Sequence, residues 1–261
     1  MKKKLIMGAV SGYNFEQIRP FIVSLRKAGY TGDVCFFAAD LPERTLAYLK
    51  LLDVDVVSLP QEEHFSGMAV SITRFMLYQA VLSRQGDAYE GVMLTDVRDV
   101  LFQRDPFEFD YSGKVCCFLE DDGMRIQDCP MNAEWLRSKY GETTLARIGH
   151  NPISCVGTII GSVPQVLLYL ERLLEDLQPP FNIPGDDTAV HNYMLYTHQI
   201  TDVSLFANEN GPVMTLGYKK THSFQFNAAG LLLNDAGEIV NTLHQYDRHP
   251  LLVERLSFLY D

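Results

Sequence analysis

The chain has 261 residues, of which 47% are hydrophobic and 21% are charged, and its formal net charge is −11. A chain of this size buries a substantial core without disulfides, and no segment approaches the roughly 18–20 apolar residues of a transmembrane helix. The acidic balance argues against a nucleic-acid partner, because contacts to phosphates need a basic surface.

The first hundred residues alternate apolar runs with helical patterns. Short apolar runs closed by turn residues predict buried strands, and apolar side chains spaced three or four apart predict helices. The predicted strands are Leu5–Val10, Val34–Ala39, Val54–Leu59 and Gly91–Thr95. The predicted helices are one between Asn14 and Gly29, with Asn14 as its cap, then Pro42–Leu52 and Ala69–Ser83. This alternation predicts right-handed βαβ units on a parallel sheet.

The second half of the chain mixes its elements less regularly. The predicted strands are Lys114–Leu119 and Ile153–Ile160. The predicted helices are Asn132–Tyr140, Thr143–Ile148, Pro164–Leu177 and Asp186–Thr197, the last capped by Asp186 or Asp187. Short strands and turns follow, with a hairpin at Asn234–Gly237. Because no linker or repeat is present, we predict one α/β domain with its ligand at the carboxyl ends of the strands.

The cysteines and the N-terminus suggest a protein of the cytoplasm. The five cysteines are an odd number without a Cys-x-x-Cys pair, so we expect reduced, mostly buried thiols. The apolar run Leu5–Val10 is too short for a signal peptide and is followed by no cleavage site. We therefore predict a cytoplasmic protein that begins at Met1 and has no transmembrane segment, and we leave its oligomeric state open.

Two carboxylates follow the fourth predicted strand and suggest a metal site. Asp96 and Asp99 come directly after a buried apolar run, where unpaired carboxylates are costly to desolvate. A divalent cation would relieve that cost, and oxygen ligands suit Mg²⁺ or Mn²⁺. His244, among polar and aromatic residues near the chain end, is a candidate third ligand or a structural histidine. The alternative is that Arg98 or another base pairs with the carboxylates, or that one of them caps a turn.

Two further positions could act on a ligand. Asp186 and Asp187 open a predicted helix, where the helix dipole and free backbone N–H groups stabilise a carboxylate. They either only cap the helix or hold a negative charge over a reacting centre. Arg74, early on the third helix, is either solvated or faces the sheet's carboxyl edge, where its guanidinium could clamp a diphosphate.

In their order along the chain, these features resemble nucleotide-sugar-dependent glycosyltransferases of the GT-A fold. The resembling features are the N-terminal βαβ sheet with Val10-Ser11-Gly12 after its first strand, the helix with Arg74, the Asp-x-Asp-like motif at Asp96 and Asp99, the small-residue strand Ser154–Gly161, the helix start with Asp187 and Asn192, and the late His244. The resemblance implies a single GT-A-like domain over residues 1–261, with a Rossmann-type mixed sheet, mostly parallel and flanked by helices. Residues 1–100 would form the nucleotide-binding half, and 101–261 the half that binds the acceptor and completes the metal site.

The resemblance also implies an activity and a set of site residues. It implies a metal-dependent, hexosyltransferase-like enzyme that moves a sugar from a nucleotide-sugar, by default a UDP-sugar, to a hydroxyl of a small-molecule, glycan or protein acceptor. The implied ligands of Mn²⁺ (or Mg²⁺) are Asp96, Asp99 and His244. The implied contacts to the nucleotide-sugar are Val10, Ser11, Gly12, Arg74, Asp96, Arg98, Gly157 and Lys220. Asp187, with Asp186 beside it, would be the catalytic carboxylate, acting as base, nucleophile or orienting group.

Two departures and three alternatives stay open. Two residues, not one, separate Asp96 from Asp99, so Asp96 could contact either the metal or the ribose, and Thr188 replaces the family's usual Gln. A nucleotidyltransferase would need a Gly-rich, Arg-bearing loop after the first strand, and Ser11–Asn14 lacks it. A metal-dependent phosphohydrolase would need more His and Asp ligands at close spacing. The third alternative is an inactive nucleotide-sugar-binding protein. The acceptor pocket is expected in the stretch Glu120–Asn151.

Overall fold

A computed structural model describes residues 2–59, 68–121, 123–178, 183–220 and 223–261. The strands within these ranges are β1 (Lys3–Ser11), β2 (Asp33–Ala39), β3 (Asp55–Ser58), β4 (Tyr89–Thr95), β5 (Val100–Phe102), β6 (Val115–Leu119), β7 (Ser154–Ser162), β8 (Val203–Phe206), β9 (Val213–Thr215), β10 (Gln225–Phe226), β11 (Leu232–Leu233) and β12 (Thr242–His244). The helices are α1 (Phe15–Lys27), α2 (Glu43–Leu51), α3 (Met68–Gln85), α4 (Pro130–Tyr140), α5 (Glu142–Ile148), α6 (Val163–Asp176), α7 (Asp186–Tyr196) and α8 (Pro250–Arg255).

The largest sheet has seven strands in the order β3-β2-β1-β4-β7-β6-β8. β7 runs antiparallel to both of its neighbours, and every other pair of neighbours is parallel. After building β2 and β3 on one side of β1, the chain crosses back through α3 and places β4 on the other side. This reversal creates a switch point between β1 and β4, where sheets of this type bind ligands. The predicted α/β fold, with a mixed, mostly parallel sheet flanked by helices, is confirmed.

Both faces of this sheet are covered, which explains the unbroken apolar runs in its sequence. Leu5 and Met7 of β1 pack into the core that contains α3, α6 and α7, whereas Ile6 and Val10 pack into the core that contains α1. Because successive side chains of a strand point to opposite faces, a sheet covered on both sides needs apolar residues at nearly every position.

A smaller sheet in the order β5-β12-β9 brings the C-terminal part of the chain to the end of β4. β12 runs antiparallel to β5 and parallel to β9. Nearby, the predicted hairpin at Asn234–Gly237 is confirmed, since Leu233 pairs with Ile239 and Asn234 accepts from the backbone N–H of Glu238 at 2.8 Å. The small sheet is what connects the last strand of the chain to the switch point.

Local signals in the sequence were correct for α1 and wrong for α7. Asn14 caps α1 in a reciprocal capping box with Gln17, as the sequence predicts. The prediction that Asp186 or Asp187 caps α7 is wrong, because the residue before the helix is Gly185, in a left-handed conformation, and no side chain caps the helix. Both carboxylates lie inside the first turn, where Asp186 contacts Lys139 and Asp187 contacts Arg74, and Oδ1 of Asp187 also accepts from the backbone N–H of Thr188 at 2.8 Å.

Two predictions about the whole chain can be compared with the structure directly. All five cysteines are free and buried, as predicted. Among the helices that the structure describes, none has the length and apolar composition needed to span a membrane.

A buried polar chain connects β7, α6 and α7. Nε2 of His191 lies 2.9 Å from the hydroxyl of Ser154, and Nδ1 lies 2.8 Å from the hydroxyl of Tyr169. His191 has no exposed surface, and burial lowers its pKa to about 3. The folded protein therefore holds a neutral imidazole at this position well below neutral pH.

We expect His191 to make folding less stable in mild acid. An unfolded histidine has a pKa of about 6.5, so between that pH and about 3 the unfolded chain binds a proton that the folded chain excludes. Between pH 7 and pH 5 this linkage lowers the free energy of unfolding by about 2 kcal/mol. Urea unfolding of the wild-type protein and of His191→Gln at both pH values measures the difference. His150→Gln, which removes an exposed imidazole, is the control. The same pH dependence in the wild type and His191→Gln would contradict the assignment.

Candidate metal centre

Asp96, Asp99 and His244 come together just beyond the end of β4. The backbone N–H of Asp96 donates to the carbonyl of Gly157 on β7 at 2.8 Å, which fixes the chain as it leaves the sheet. Asp99 directly precedes β5, and β5 pairs with β12, so His244 lies opposite Val100 in the small sheet. Residues far apart in the sequence are thus held together by backbone pairing.

The three side chains converge closely enough to hold one cation. Nε2 of His244 lies 3.3 Å from Oδ2 of Asp96 and 3.7 Å from Oδ1 of Asp99, and the candidate ligand atoms of all three lie within 4.8 Å of one another. His244 is fully buried, and its Nε2 has no hydrogen-bond partner among the described residues. Carboxylate oxygens with one imidazole nitrogen form a donor set that suits Mn²⁺ or Mg²⁺.

Gly157 leaves space beside the cluster that no other residue would leave. A Cβ at this position would lie 2.5 Å from Cε1 of His244 and closer still to Oδ2 of Asp96. Glycine is therefore required for the imidazole and the carboxylate to approach each other at their present positions. Gly157, which the sequence predicts to contact the nucleotide-sugar, lies in the structure against the side chains of Asp96 and His244.

The charges around the cluster favour a cation. Burial alone would lower the pKa of His244, but Cys155 and the carboxylates of Asp99 and Asp96 outweigh it and raise the pKa well above its usual value. Burial also raises the pKa of Asp99, although His244 opposes this effect. A field of negative charge that stabilises a proton on His244 would stabilise a divalent ion in the same place.

Arg74 faces the carboxyl edge of the sheet and forms ion pairs with two carboxylates. Its buried guanidinium contacts Oδ1 of Asp96, and its Nη2 lies 3.7 Å from Oδ2 of Asp187. Burial would raise the pKa of Asp96, but Arg74 and His244 lower it below its usual value. Burial raises the pKa of Asp187, and Arg74 opposes this. Asp96 therefore does pair with a base, as one of the alternatives from the sequence allowed, and that base is Arg74. Arg98 instead pairs with Asp247 at 2.9 Å.

A cavity of about 370 Å³ opens beside the cluster at the switch point between β1 and β4. Its walls come from the end of β1, from α3 and from the segment that follows β4. The residues that line it are Ala9, Ser11, Tyr13, Val70, Arg74, Asp96, Val97, Arg98 and Asp99. Volumes of this size are typical of small-molecule sites.

Some of the residues predicted to contact the nucleotide-sugar line this cavity, and others do not. Ser11, Arg74, Asp96 and Arg98 line it. Val10 is fully buried in the core beneath the end of β1. Gly12 continues from Ser11 in a left-handed turn with φ +67°.

Lys220, Asp186 and Asp187 are predicted site residues that are not among the described residues lining the cavity. Lys220 is exposed, and it is not among the described residues that line the cavity. The carboxylate of Asp186 accepts from Nζ of Lys139 on α4 at 2.8 Å, whereas Asp187, the next residue, faces Arg74. The two neighbouring carboxylates therefore point to different partners.

Sequence reasoning missed several residues at this site. Tyr13 lines the cavity, and its position next to the Ser11-Gly12 turn is a signal that could have identified it. Cys155 lies 3.6 Å from Nδ1 of His244, and Glu120 lies near Cys155. Cys155 occupies the same strand as Gly157, two residues earlier, and so shares its face. Glu120 shows no distinctive sequence pattern.

The chain matches no model of a known protein family and none of the curated proteins with which it was compared. The case for a function therefore depends on the cluster of Asp96, Asp99 and His244 and on the cavity beside it. Both lie at the edge of the sheet where ligands are expected.

We expect Gly157→Ala to weaken the binding of a divalent cation. The added methyl group would separate Asp96 from His244, so the dissociation constant for Mn²⁺ should rise by about tenfold or more, a change equivalent to roughly 1.4 kcal/mol. Isothermal titration calorimetry with Mn²⁺ measures it. Gly161→Ala is a matched control on the same strand, because its Cβ would meet the carbonyl of Lys114 at 2.5 Å, away from the cluster. It should reduce stability and leave Mn²⁺ affinity intact. Equal Mn²⁺ affinity in Gly157→Ala and wild type would contradict the metal assignment.

Proposed function

We propose that the protein is a metal-dependent glycosyltransferase that moves a sugar from a nucleotide-sugar, with UDP as the default nucleotide, to a hydroxyl acceptor. The observation that carries this proposal is the three-ligand cluster of Asp96, Asp99 and His244 beside a small-molecule cavity at the switch point of a mostly parallel sheet. The resemblance to the GT-A fold supports it, since that family combines these elements in the same order.

Asp96, Asp99 and His244 are the residues that would hold the cation. A divalent cation bound there would neutralise the diphosphate and stabilise the negative charge that develops on it as the glycosidic bond breaks. Burial of the cluster in the protein strengthens such electrostatic effects, because less water screens them. We assign Mn²⁺ or Mg²⁺ on the basis of the hard oxygen donors.

The cavity offers groups suited to the rest of a nucleotide. Tyr13 contributes an aromatic ring, which could stack against a base, and Ser11 contributes a hydroxyl group. Arg98 is half exposed at the cavity and pairs with Asp247 at 2.9 Å. Its guanidinium carries five N–H donors, so it can keep that pair and still donate to a phosphate or ribose oxygen.

Asp187 is the carboxylate that we assign to the reacting centre. Its Oδ1 accepts from the backbone N–H of Thr188 at 2.8 Å, and its Oδ2 faces Arg74, so its orientation is fixed. Transfer to an acceptor hydroxyl passes through a positively charged sugar and releases a proton. A fixed carboxylate stabilises such a charge, and one whose pKa is raised by burial also takes up a proton more readily.

We expect nucleotide binding to depend on Asp99. In the presence of Mn²⁺, the wild-type protein should release a nucleoside diphosphate from one member of a panel of nucleotide-sugars. Asp99→Ala should abolish Mn²⁺-dependent nucleotide binding without lowering the melting temperature, since it relieves a buried negative charge. Asp110→Ala, which removes an exposed carboxylate, is the control. The proposal fails if the wild type neither turns over the panel nor binds any nucleoside diphosphate. Turnover of a sugar 1-phosphate with a nucleoside triphosphate would instead indicate a nucleotidyltransferase.

We expect Asp187→Asn to lower turnover far more than nucleotide affinity. Loss of a group that acts on protons or charge in the transition state typically costs about 10²–10⁴ in rate, whereas the nucleotide contacts stay in place. Asp186→Asn is the matched comparison, because that carboxylate contacts Lys139. Steady-state turnover and the dissociation constant for UDP are measured for both variants. Equal losses of turnover and affinity in Asp187→Asn would show that it only supports the structure, and a larger loss of turnover in Asp186→Asn would move the role to Asp186.

A further inference from the structure

The two ring nitrogens of His244 have different surroundings. Nε2 faces the carboxylates of Asp96 and Asp99, and Nδ1 lies 3.6 Å from Sγ of Cys155, within reach of a hydrogen bond to sulfur. A neutral imidazole carries its proton on one nitrogen and binds a metal through the other. Binding of a cation between Nε2 and the carboxylates therefore requires the proton on Nδ1, and the partner of Nδ1 is the Cys155 thiol.

The Cys155 thiol has one proton and two groups that could accept it. One is Nδ1 of His244, 3.6 Å from the sulfur, and the other is the carboxylate of Glu120, on the strand that pairs with that of Cys155. If the thiol donated to Nδ1, the imidazole proton would lie on Nε2 and would block the cation. If the thiol donates to Glu120, its sulfur accepts from Nδ1–H and the lone pair of Nε2 stays free. The direction of the Cys155 hydrogen bond thus decides whether His244 can be a ligand.

The pairing of β6 with β7 places the carboxylate of Glu120 where it can accept a hydrogen bond from the Cys155 thiol. Phe118 lies opposite Cys155, and the backbone N–H of Glu120 donates to Ile153 at 2.8 Å. Glu120 and Cys155 are therefore diagonal neighbours across the two strands. Glu120 is 8% exposed, and its Oε2 lacks a hydrogen-bond partner within the described part of the chain. Burial raises the pKa of Glu120, and His244 and Arg248 oppose this. In its ionised form the carboxylate only accepts hydrogen bonds, and it then fixes the thiol as the donor.

We propose that Glu120 and Cys155 form a relay that fixes the tautomer of His244. In this relay the thiol donates to Glu120 and accepts from Nδ1–H, which presents the Nε2 lone pair to the divalent cation. Cys155 and Glu120 are positioning residues, because the sulfur lies on the side of the ring away from the carboxylates and neither residue is assigned to the cation. The relay rests on the metal site of the proposed function and is independent of sugar transfer.

The relay predicts the Mn²⁺ affinity of two matched pairs of variants. Residues that orient a ligand of a metal typically contribute about 10–100-fold to affinity, so Cys155→Ala and Glu120→Leu should each weaken Mn²⁺ binding by about tenfold or more. Cys155→Ser should stay closer to the wild type, because a hydroxyl group can donate to Glu120 and accept from Nδ1–H. Glu120→Gln should likewise stay closer than Glu120→Leu, because its amide oxygen still accepts. Titration of free Mn²⁺ by electron paramagnetic resonance measures these constants, and thermal unfolding verifies that each variant is folded.

A double variant separates the relay from a simple effect of charge. Because Glu120 acts through Cys155, Glu120→Leu in the Cys155→Ala background should cause no further loss of affinity. An electrostatic attraction between Glu120 and the cation would instead make the two losses additive and would make Glu120→Gln as weak as Glu120→Leu. Cys117→Ala, which removes a buried thiol of β6 from the core, controls for the loss of packing and should bind Mn²⁺ as the wild type does.

Each result distinguishes the relay from the proposed function. If the wild type binds Mn²⁺ and Cys155→Ala binds it equally well, or if the losses are additive, the relay is wrong and the metal site stands. If the expected pattern is found but the wild type neither turns over a nucleotide-sugar nor binds a nucleoside diphosphate, the relay stands and the proposed function is wrong. If the wild type binds no Mn²⁺, both are wrong.

Discussion

The arrangement of the site depends on the compensation of negative charge on three carboxylates just beyond the end of β4. The carboxylates of Asp96, Asp99 and Asp187 lie around one buried guanidinium, that of Arg74, and one buried imidazole, that of His244. Removing carboxylates from water is costly unless opposite charges or hydrogen bonds replace the water. Arg74 contacts the carboxylates of Asp96 and Asp187, and His244 contacts those of Asp96 and Asp99. A divalent cation bound between Asp96, Asp99 and His244 would complete this compensation, which is the physical basis of the metal site that we propose.

The topology of the chain creates this concentration of charge. β4 returns to the centre of the sheet beside β1, which places Asp96 next to the turn at Ser11. The antiparallel β7 then brings a glycine and a thiol to the same place, at Gly157 and Cys155. The small sheet contributes His244 through the pairing of β12 with β5. The cluster thus draws on strands from both halves of the chain, and the scaffold beneath it consists of backbone hydrogen bonds.

Patterns in the sequence were sufficient for the scaffold and for part of the site. Unbroken apolar runs identified the covered strands, and their order placed Asp96 and Asp99 at the ligand-binding edge. The contact between His244 and these residues depends on strands of three residues, which are too short to show a periodicity. Whether Arg74 faces solvent, a ligand or a carboxylate is decided by tertiary packing. The role of Cys155 is likewise decided by tertiary packing, because the sequence does not distinguish a buried thiol that only fills space from one that orients a neighbouring side chain.

The distance along the chain between Asp99 and His244 has a consequence for the order of assembly during synthesis. More than half of the chain is made after Asp99 and before His244. Because a domain generally folds as a unit, the three side chains come together only once the segment that carries His244 has been synthesised. The imidazole arrives only with the last small strand, together with its contact to Cys155. The site that we propose for a cation is therefore completed late in synthesis, although two of its three ligands lie within the first hundred residues.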